Sequence, residues 1–377
     1  IRMGKLYTAL GLMSGTSGDG VDASLISSDG IDQYNEIINR YFKYDQKIYE
    51  NLHNLRGKIL KFEDLQKNVN EIKNLEKEIT LFHAKVISKI LDTTDNKVDF
   101  IGFHGQTIYH NSLEKISKQI GDGNLLSQLT KKTVIYNFRQ NDIKNGGEGA
   151  PLVPIFHRLI VKQKKIGLPV CILNIGGIAN VTAIDGYDKY SFLSRDLGPG
   201  NCLIDEWVRK NTKSKFDNNG ELAKKGRTND LILKQALDNF DNRPNKNILS
   251  FDTKDFSLGF VRGLNLEDGV ATLTDFTGRI IREELSNFLS DTIKKQWKIL
   301  VCGGGRKNLT LVERIKSRLV KNLVIQPIDD YDVDGDHVES QAFAYLAIRS
   351  YLDLPISFPK TTGCKEPTTG GVLVKNY

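Results

Sequence analysis

Small hydroxyls, glycines and carboxylates crowd into one short run of this chain. In GLMSGTSGDGVD, Ser14, Thr16 and Ser17 are interleaved with Gly15, Gly18 and Gly20, and Asp19 and Asp22 sit among them. Backbone N–H groups exposed at a tight glycine turn form a concavity for anions. The hydroxyls add neutral donors, and Asp19 or Asp22 can hold Mg2+, usually through water because Mg2+ dehydrates reluctantly. The chemistry this suggests is phosphate binding; the plain alternative is a hairpin turn. A second glycine turn, Gly176 and Gly177, lies in NIGGIAN, and VCGGGRKN places Gly303, Gly304 and Gly305 after an apolar segment. Glycines there let a nucleoside lie flat against the backbone, and a helix expected from near Asn308 offers its N-terminus to phosphate. The alternative is a strand-to-helix connection that needs positive φ. The chain has no GxxxxGK[ST] pattern and no GxGxxG after a strand, so any ATP is bound without a P-loop.

Acid–base chemistry has a candidate in Asp196. Asp196, in SRDLGPGN, comes at the end of an apolar segment and just before a Gly–Pro–Gly turn. Phosphoryl transfer needs positioning, charge neutralisation and a group to orient or deprotonate the nucleophile. Asp196 suits that last role, or else it caps the following helix. Arg139, in FRQNDIKNGGEGAPLVP, suits a bidentate grip on carboxylate or phosphate, or a surface ion pair. His104 and Gln106 stand in GFHGQT, and Glu339 stands at the start of a helical stretch in DGDHVESQAFA, where a carboxylate also complements the helix dipole.

The elements that must hold these residues read as a duplication. Residues 6–13 and 21–27 form two strands around the first glycine turn, with a third strand near 37–42. Apolar residues then recur every three or four positions from Phe62 to Ile90, which predicts one long helix or two in succession. An apolar strand with a Gly-flanked turn follows at 98–107. The second half repeats the plan: strand, glycine turn and strand over 170–184, a third strand over 189–201, a helical region over 275–297, a strand and glycines over 298–308, a strand over 322–329 and a helix over 340–352. The expected domains are residues 1–165 and 166–377, with the C-terminal segment free to pack back on the first. If the two halves face each other, the two glycine turns grip a triphosphate from both sides and Asp196 points into the cleft between them.

Bulk composition narrows the class. Lys and Arg number 53 against 46 Asp and Glu, a net charge of +7 spread through Lys-rich helical stretches, so a solvated basic surface is expected and no nucleic-acid partner. The four cysteines, Cys171, Cys202, Cys302 and Cys364, form no CxxC pair, which speaks against a zinc site and for a reducing compartment. No apolar run reaches about 18 residues, so a cytoplasmic setting without membrane spanning is expected.

Taken in order, GLMSGTSGDGVD, GFHGQTIYH, FRQNDIKNGGEGAPLVP, NIGGIANVT, DLGPGN, VCGGGRKN and HVESQAFAYLA resemble the anhydro-N-acetylmuramic acid kinase family, within the actin/hexokinase-like sugar kinases, over nearly the whole chain. The resemblance implies an α/β fold of two ribonuclease-H-like, actin-like ATPase domains with mixed sheets and ATP in the interdomain cleft. It implies a cytoplasmic, homodimeric kinase of peptidoglycan recycling that opens 1,6-anhydro-N-acetylmuramic acid with water and phosphorylates its 6-oxygen, using ATP and Mg2+. By the same resemblance Asp196 is the base, and the run Gly15, Thr16, Ser17, Gly18, Asp19, Gly20, Val21 and Asp22 is the ATP-phosphate loop. Arg139, His104 and Glu339 match positions near the sugar. Two positions depart from the family pattern: Gly18 stands where a large apolar residue is usual, and Leu197 where Thr is usual. The rival readings are another actin-fold sugar, polyol or carboxylate kinase, a non-catalytic or polymerising actin-like ATPase, and a duplicated fold that has lost nucleotide binding.

Overall fold

The computed structural model describes residues 5–186, 188, 190–244, 248–290, 296–317 and 319–377. They form two compact units, one from the described residues of 5–165 and 337–377 and one from those of 166–336. Lys189 of the expected third strand and residues 291–295 of the expected helical region lie outside the described residues.

The first unit is built on the hairpin around the first glycine run. Strand β1 (Tyr7–Ser14) and strand β2 (Gly20–Ser28) pair antiparallel from Tyr7↔Ser28 to Met13↔Asp22. Strand β3 (Tyr34–Lys43) continues the meander beyond β2. On the other side of β1, strand β4 (Phe100–Asn111) runs parallel to it, starting at Ala9↔Phe100. Strand β5 (Ile116–Ile120) folds back on β4, β6 (Thr133–Tyr136) lies parallel to β4, and the last strand of the chain, Val372–Val374, closes the edge against β6. The helical periodicity after β3 resolves into α1 (Gln46–Lys58), α2 (Phe62–Lys67) and α3 (Val69–Leu91). The sequence pattern over 62–90 is thus two helices in succession, and α1 precedes them. Leu52, Leu55, Ile72, Leu75, Ile79, Val86 and Ile90 from these helices bury against Leu10, Leu12, Val21, Ile101 and Phe103 of the sheet.

The expected C-terminal helix is Val338–Tyr351, and it belongs to the first unit. It packs on β1, β2 and β4 with most of its residues buried, which explains why its sequence shows so little amphipathic pattern. Its backbone presses onto the sheet at Gly11 and Gly102, which face each other across β1 and β4. A Cβ at Gly11 would stand 2.0 Å from the Ser340 carbonyl oxygen, and one at Gly102 would stand 2.3 Å from that of Phe343. That contact is why the chain returns to the first unit after residue 336.

The second unit repeats the strand plan. Strand β7 (Val170–Ile175), β8 (Ile178–Ile184) and β9 (Phe192–Pro199) form an antiparallel meander. Strand β10 (Trp297–Cys302) lies parallel to β7, and β11 (Leu323–Pro327) parallel to β10. Both sheets therefore carry three antiparallel strands followed by two parallel ones on the far side of the first, in the order β3-β2-β1-β4-β6 and β9-β8-β7-β10-β11. This ribonuclease-H-like arrangement occurs once per unit. The helix Cys202–Asn211 follows β9 directly, and the long helix Leu266–Phe288 covers β9 through Ile281 and Leu285. Among the described residues no helix is long and apolar enough to cross a membrane. All four cysteines are free thiols.

Candidate active site

The first glycine run is a loop pinned from below and from one side. At its base Ser14 Oγ lies 2.9 Å from the Gly20 carbonyl oxygen and 2.5 Å from Gln106 Oε1, the two acceptors that share its one proton, and Tyr44 donates to Ser14 Oγ (3.1 Å). Gln106 Nε2 donates in turn to the Gly15 carbonyl (3.1 Å). Gln106 is fully buried, so the sequence motif GFHGQT contributes a structural amide to this loop from β4. Gly18 has φ +62°, a conformation that favours glycine. Within the loop Ser17 Oγ donates to Asp19 Oδ1 (2.5 Å). Asp19 and Asp22 both lie close enough to Tyr41 that, after burial, their charges push its hydroxyl pKa up. His337 Nδ1 stands 3.9 Å from Asp22 Oδ1. Among the described residues no group of three His, Cys, Asp or Glu side chains could hold a metal. The carboxylates of Asp19 and Asp22 are nonetheless of the kind Mg2+ takes, since it keeps several waters and binds one or two carboxylates plus phosphate oxygens.

His104 and Arg139, from the GFHGQT and FRQND motifs, form one assembly. His104 is buried and its Nδ1 lies 2.8 Å from the Gly105 carbonyl, which can only accept. Nδ1 therefore carries the proton, and Nε2 accepts from Arg139 Nε (3.2 Å) and Nη2 (2.9 Å). Burial, and then the Arg139 charge, lower the His104 pKa to about 3, so the ring is neutral. Arg139 Nη1 donates to the Gly149 carbonyl (2.7 Å). The loop bearing Gly149 is itself held by buried Asp142, which accepts from Gly149 N (2.7 Å) and Thr362 Oγ1 (2.6 Å). Burial raises the Glu339 carboxyl pKa, while the charge of Arg139 opposes that rise. A cavity of about 260 Å³ opens beside this group, lined by His104, Gly105, Tyr136 and Asn137 with Glu76, Lys118 and Asp122.

In the second unit, three glycine motifs far apart in sequence meet at the carboxyl ends of β7 and β10. Gly200 N donates to the Gly177 carbonyl (2.9 Å) and Asn201 N to that of Gly176 (2.8 Å). Gly303 has φ +78°, and a Cβ there would stand 2.3 Å from Asn174 Oδ1 at the end of β7. A Cβ at Gly305 would meet Ile175 Cγ2 at 2.2 Å and Asn201 Nδ2 at 2.9 Å, whereas one at Gly304 would meet nothing within 4 Å. Ligands of open α/β sheets bind at such strand ends. The expected helix after the triplet is Leu309–Lys316, capped by Asn308 Oδ1 on Leu311 N (3.0 Å). Asp196 lies two residues before Gly198 on β9, 8 % exposed. Its amide donates to the Leu249 carbonyl and its Oδ2 accepts from Phe251 N (both 2.8 Å), so residues 249–251 orient the carboxylate. Neighbouring Leu197 is fully buried among Cys171, Leu173 and Ile281.

Comparison with known proteins decides the family. A family model described as anhydro-N-acetylmuramic acid kinase matches residues 7–376. The chain belongs to the anhydro-N-acetylmuramic acid kinase family. Within it, the protein of that name from Pelagibacter ubique (strain HTCC1062) is 59% identical over 375 residues, covering 100% of both chains. The one from Zymomonas mobilis subsp. mobilis is 38% identical over 377 residues, covering 96% of this chain and 98% of its own. Among solved structures, component A of the (R)-2-hydroxyglutaryl-CoA dehydratase of Acidaminococcus fermentans aligns with TM-score 0.44 and 11% identity, over 92% of this chain and 99% of that one.

The family motifs thus gather into two groups. Residues 15–22 with Gln106, and His104 with Arg139 and Glu339, lie in the first unit; Asp196, Gly176, Gly177 and Gly303 to Gly305 lie in the second. Sequence reasoning missed Arg56 and His53 of α1, which bond to carbonyls of the first glycine loop. A side chain that reaches a backbone carbonyl some forty residues away leaves no spacing to read. It also missed Tyr44, whose only signal is a tyrosine just past the end of β3.

Proposed function

We propose that this chain is an ATP-dependent kinase that adds water and phosphate to 1,6-anhydro-N-acetylmuramic acid, giving N-acetylmuramic acid 6-phosphate. What supports this reading is the convergence of the Gly176–Gly177 turn, the Gly–Pro–Gly–Asn turn and the Gly303–Gly305 triplet in the unit that also carries a buried, oriented Asp196, in a chain of this family. Asp196 takes a proton from water, whose oxygen attacks the anomeric carbon. The 1,6-ether bond breaks, and the freed 6-oxygen attacks the γ-phosphorus of ATP, releasing ADP. Amides of residues 15–20 hold the phosphates, as anion-binding turns do. The glycines at 176–177 and 303–305 let the rest of the nucleotide approach the backbone. Asp19 and Asp22 would hold Mg2+, which when bound would neutralise phosphate charge. Arg139, its guanidinium fixed by neutral His104, and Glu339 bind the sugar. The enzyme serves peptidoglycan recycling as a cytoplasmic homodimer.

The test is mass spectrometry of the product from the anhydro sugar, ATP and Mg2+. The expected product is heavier than the substrate by one phosphoryl group and one water. A product that has gained the phosphoryl group alone, or no product, refutes the assignment.

A further inference from the structure

Four carbonyl groups of the first glycine loop, those of Gly15, Thr16, Ser17 and Asp19, are tied to the protein. Gly15 O accepts from Gln106 Nε2 (3.1 Å), Thr16 O from Arg56 Nη1 (2.6 Å) and Asp19 O from Tyr44 N (2.9 Å). His53 Nε2 lies 3.1 Å from Ser17 O, which can only accept, so Nε2 carries a proton. The cis peptides of the described residues are at Ala150–Pro151 and Leu168–Pro169, so the loop peptides are trans. In a planar trans peptide the C=O and the following N–H point in opposite directions. Anchoring the Gly15 and Thr16 carbonyls therefore aims the Thr16 and Ser17 N–H groups away from Gln106 and Arg56.

Arg56 makes a second attachment. Its Nε and Nη2 donate to the Thr107 carbonyl on β4, at 3.2 and 2.7 Å. One planar guanidinium thus clamps the loop to the strand that also carries Gln106. Gly18 makes room for it, because a Cβ at that position would stand 2.7 Å from Leu52 Cδ2 and 3.1 Å from Arg56 Nη1.

We infer that Arg56 is a positioning residue for phosphoryl transfer, holding the Thr16–Ser17 peptide with its N–H toward the nucleotide phosphates. The inference rests on reading residues 15–22 as the nucleotide-phosphate loop. A flipped peptide at this point would present a carbonyl oxygen to an anion. The charge-assisted bond from Arg56 opposes that flip, and its two-pronged geometry ties the loop to β4. Arg56 acts through the loop and not on the substrate.

The experiment compares wild type, Arg56→Ala and Arg56→Lys in the full chain. It measures kcat, separate KM values for ATP and anhydro sugar, the Kd of Mg·ADP by calorimetry, and the thermal midpoint. Arg56→Ala should raise the KM for ATP and the Kd for Mg·ADP by about tenfold or more, the equivalent of one charge-assisted bond. The KM for the sugar should stay within about twofold. Arg56→Lys should remain impaired for ATP, because an ammonium lacks the planar fork that reaches both carbonyls. Added guanidinium should restore part of the nucleotide affinity of Arg56→Ala. ATP and ADP parameters within about twofold of wild type in either variant overturn the inference. So does an equal rise in both KM values, the pattern of general structural damage. Wild type that binds no Mg·ADP overturns the nucleotide reading of the loop itself, a result distinct from a normal wild type with an unaffected Arg56 variant.

Discussion

Replacing Asp196 by Asn tests the proposed chemistry with little disturbance to the fold. The side chain is 8 % exposed and its Oδ2 accepts a 2.8 Å bond from Phe251 N. An amide of the same shape keeps that acceptor, so the bond changes from charged to neutral at a cost of about 1 kcal/mol. The thermal midpoint should move by roughly 2–4 °C. The catalytic effect is much larger, because the amide cannot take a proton from water. Loss of a general base costs about 10²- to 10⁴-fold in kcat, or about 3–5.5 kcal/mol of barrier. Asp196→Ala supplies the contrast: it should show the same loss of kcat, but it leaves the buried Phe251 N–H unpaired at a further cost of about 1–3 kcal/mol in stability. The assay is ADP release coupled to NADH oxidation at saturating anhydro sugar, with calorimetric Mg·ADP affinity and thermal melts on the same preparations. If Asp196→Asn binds Mg·ADP normally and turns over within about fivefold of wild type, Asp196 is not the base.

Three other perturbations give separable outcomes. Gly304→Ala should leave the thermal midpoint unchanged, since its Cβ meets nothing within 4 Å, yet raise the KM for ATP if the nucleotide lies against that backbone; Gly303→Ala, at φ +78° and against Asn174 Oδ1, should lower the midpoint measurably. Burial lowers the pKa of His83 to about 4 and that of His157 to about 3, and burial with Arg139 lowers that of His104 to about 3. Below pH ~6.5 the unfolded chain then binds more protons than the folded one, so stability falls as the pH drops from 7 to 5, by about 2 kcal/mol per histidine. Urea midpoints at the two pH values check this, and a midpoint independent of pH contradicts it. Removal of Mg2+ by EDTA should abolish turnover, and Asp22→Asn should raise the Mg2+ concentration needed for half-maximal rate; an unchanged Mg2+ requirement removes Asp22 from the metal role.

Much of this architecture is legible in the residues because it is local. The strands flanking both glycine turns, the helices after Phe62 and the third strand that carries Asp196 all follow from alternation, helical spacing and punctuation by glycine and proline. The assemblies that orient the polar groups are less legible. His104 reads as a lone histidine, yet its two nitrogens are assigned by the Gly105 carbonyl and Arg139. The two departures from the family pattern show most clearly where local reading ends. Leu197 looks like a lost hydroxyl, but its side chain is part of the apolar core under β7 and the helix Leu266–Phe288. Gly18 looks like added flexibility, but its missing side chain is the space into which Leu52 and the guanidinium of Arg56 close over the loop. A larger residue at position 18 would have to displace α1 or its side chains, and with them the anchor of the Thr16 carbonyl. The glycine and the arginine are therefore better understood as a pair, in which the backbone freedom granted by one is taken away by the other.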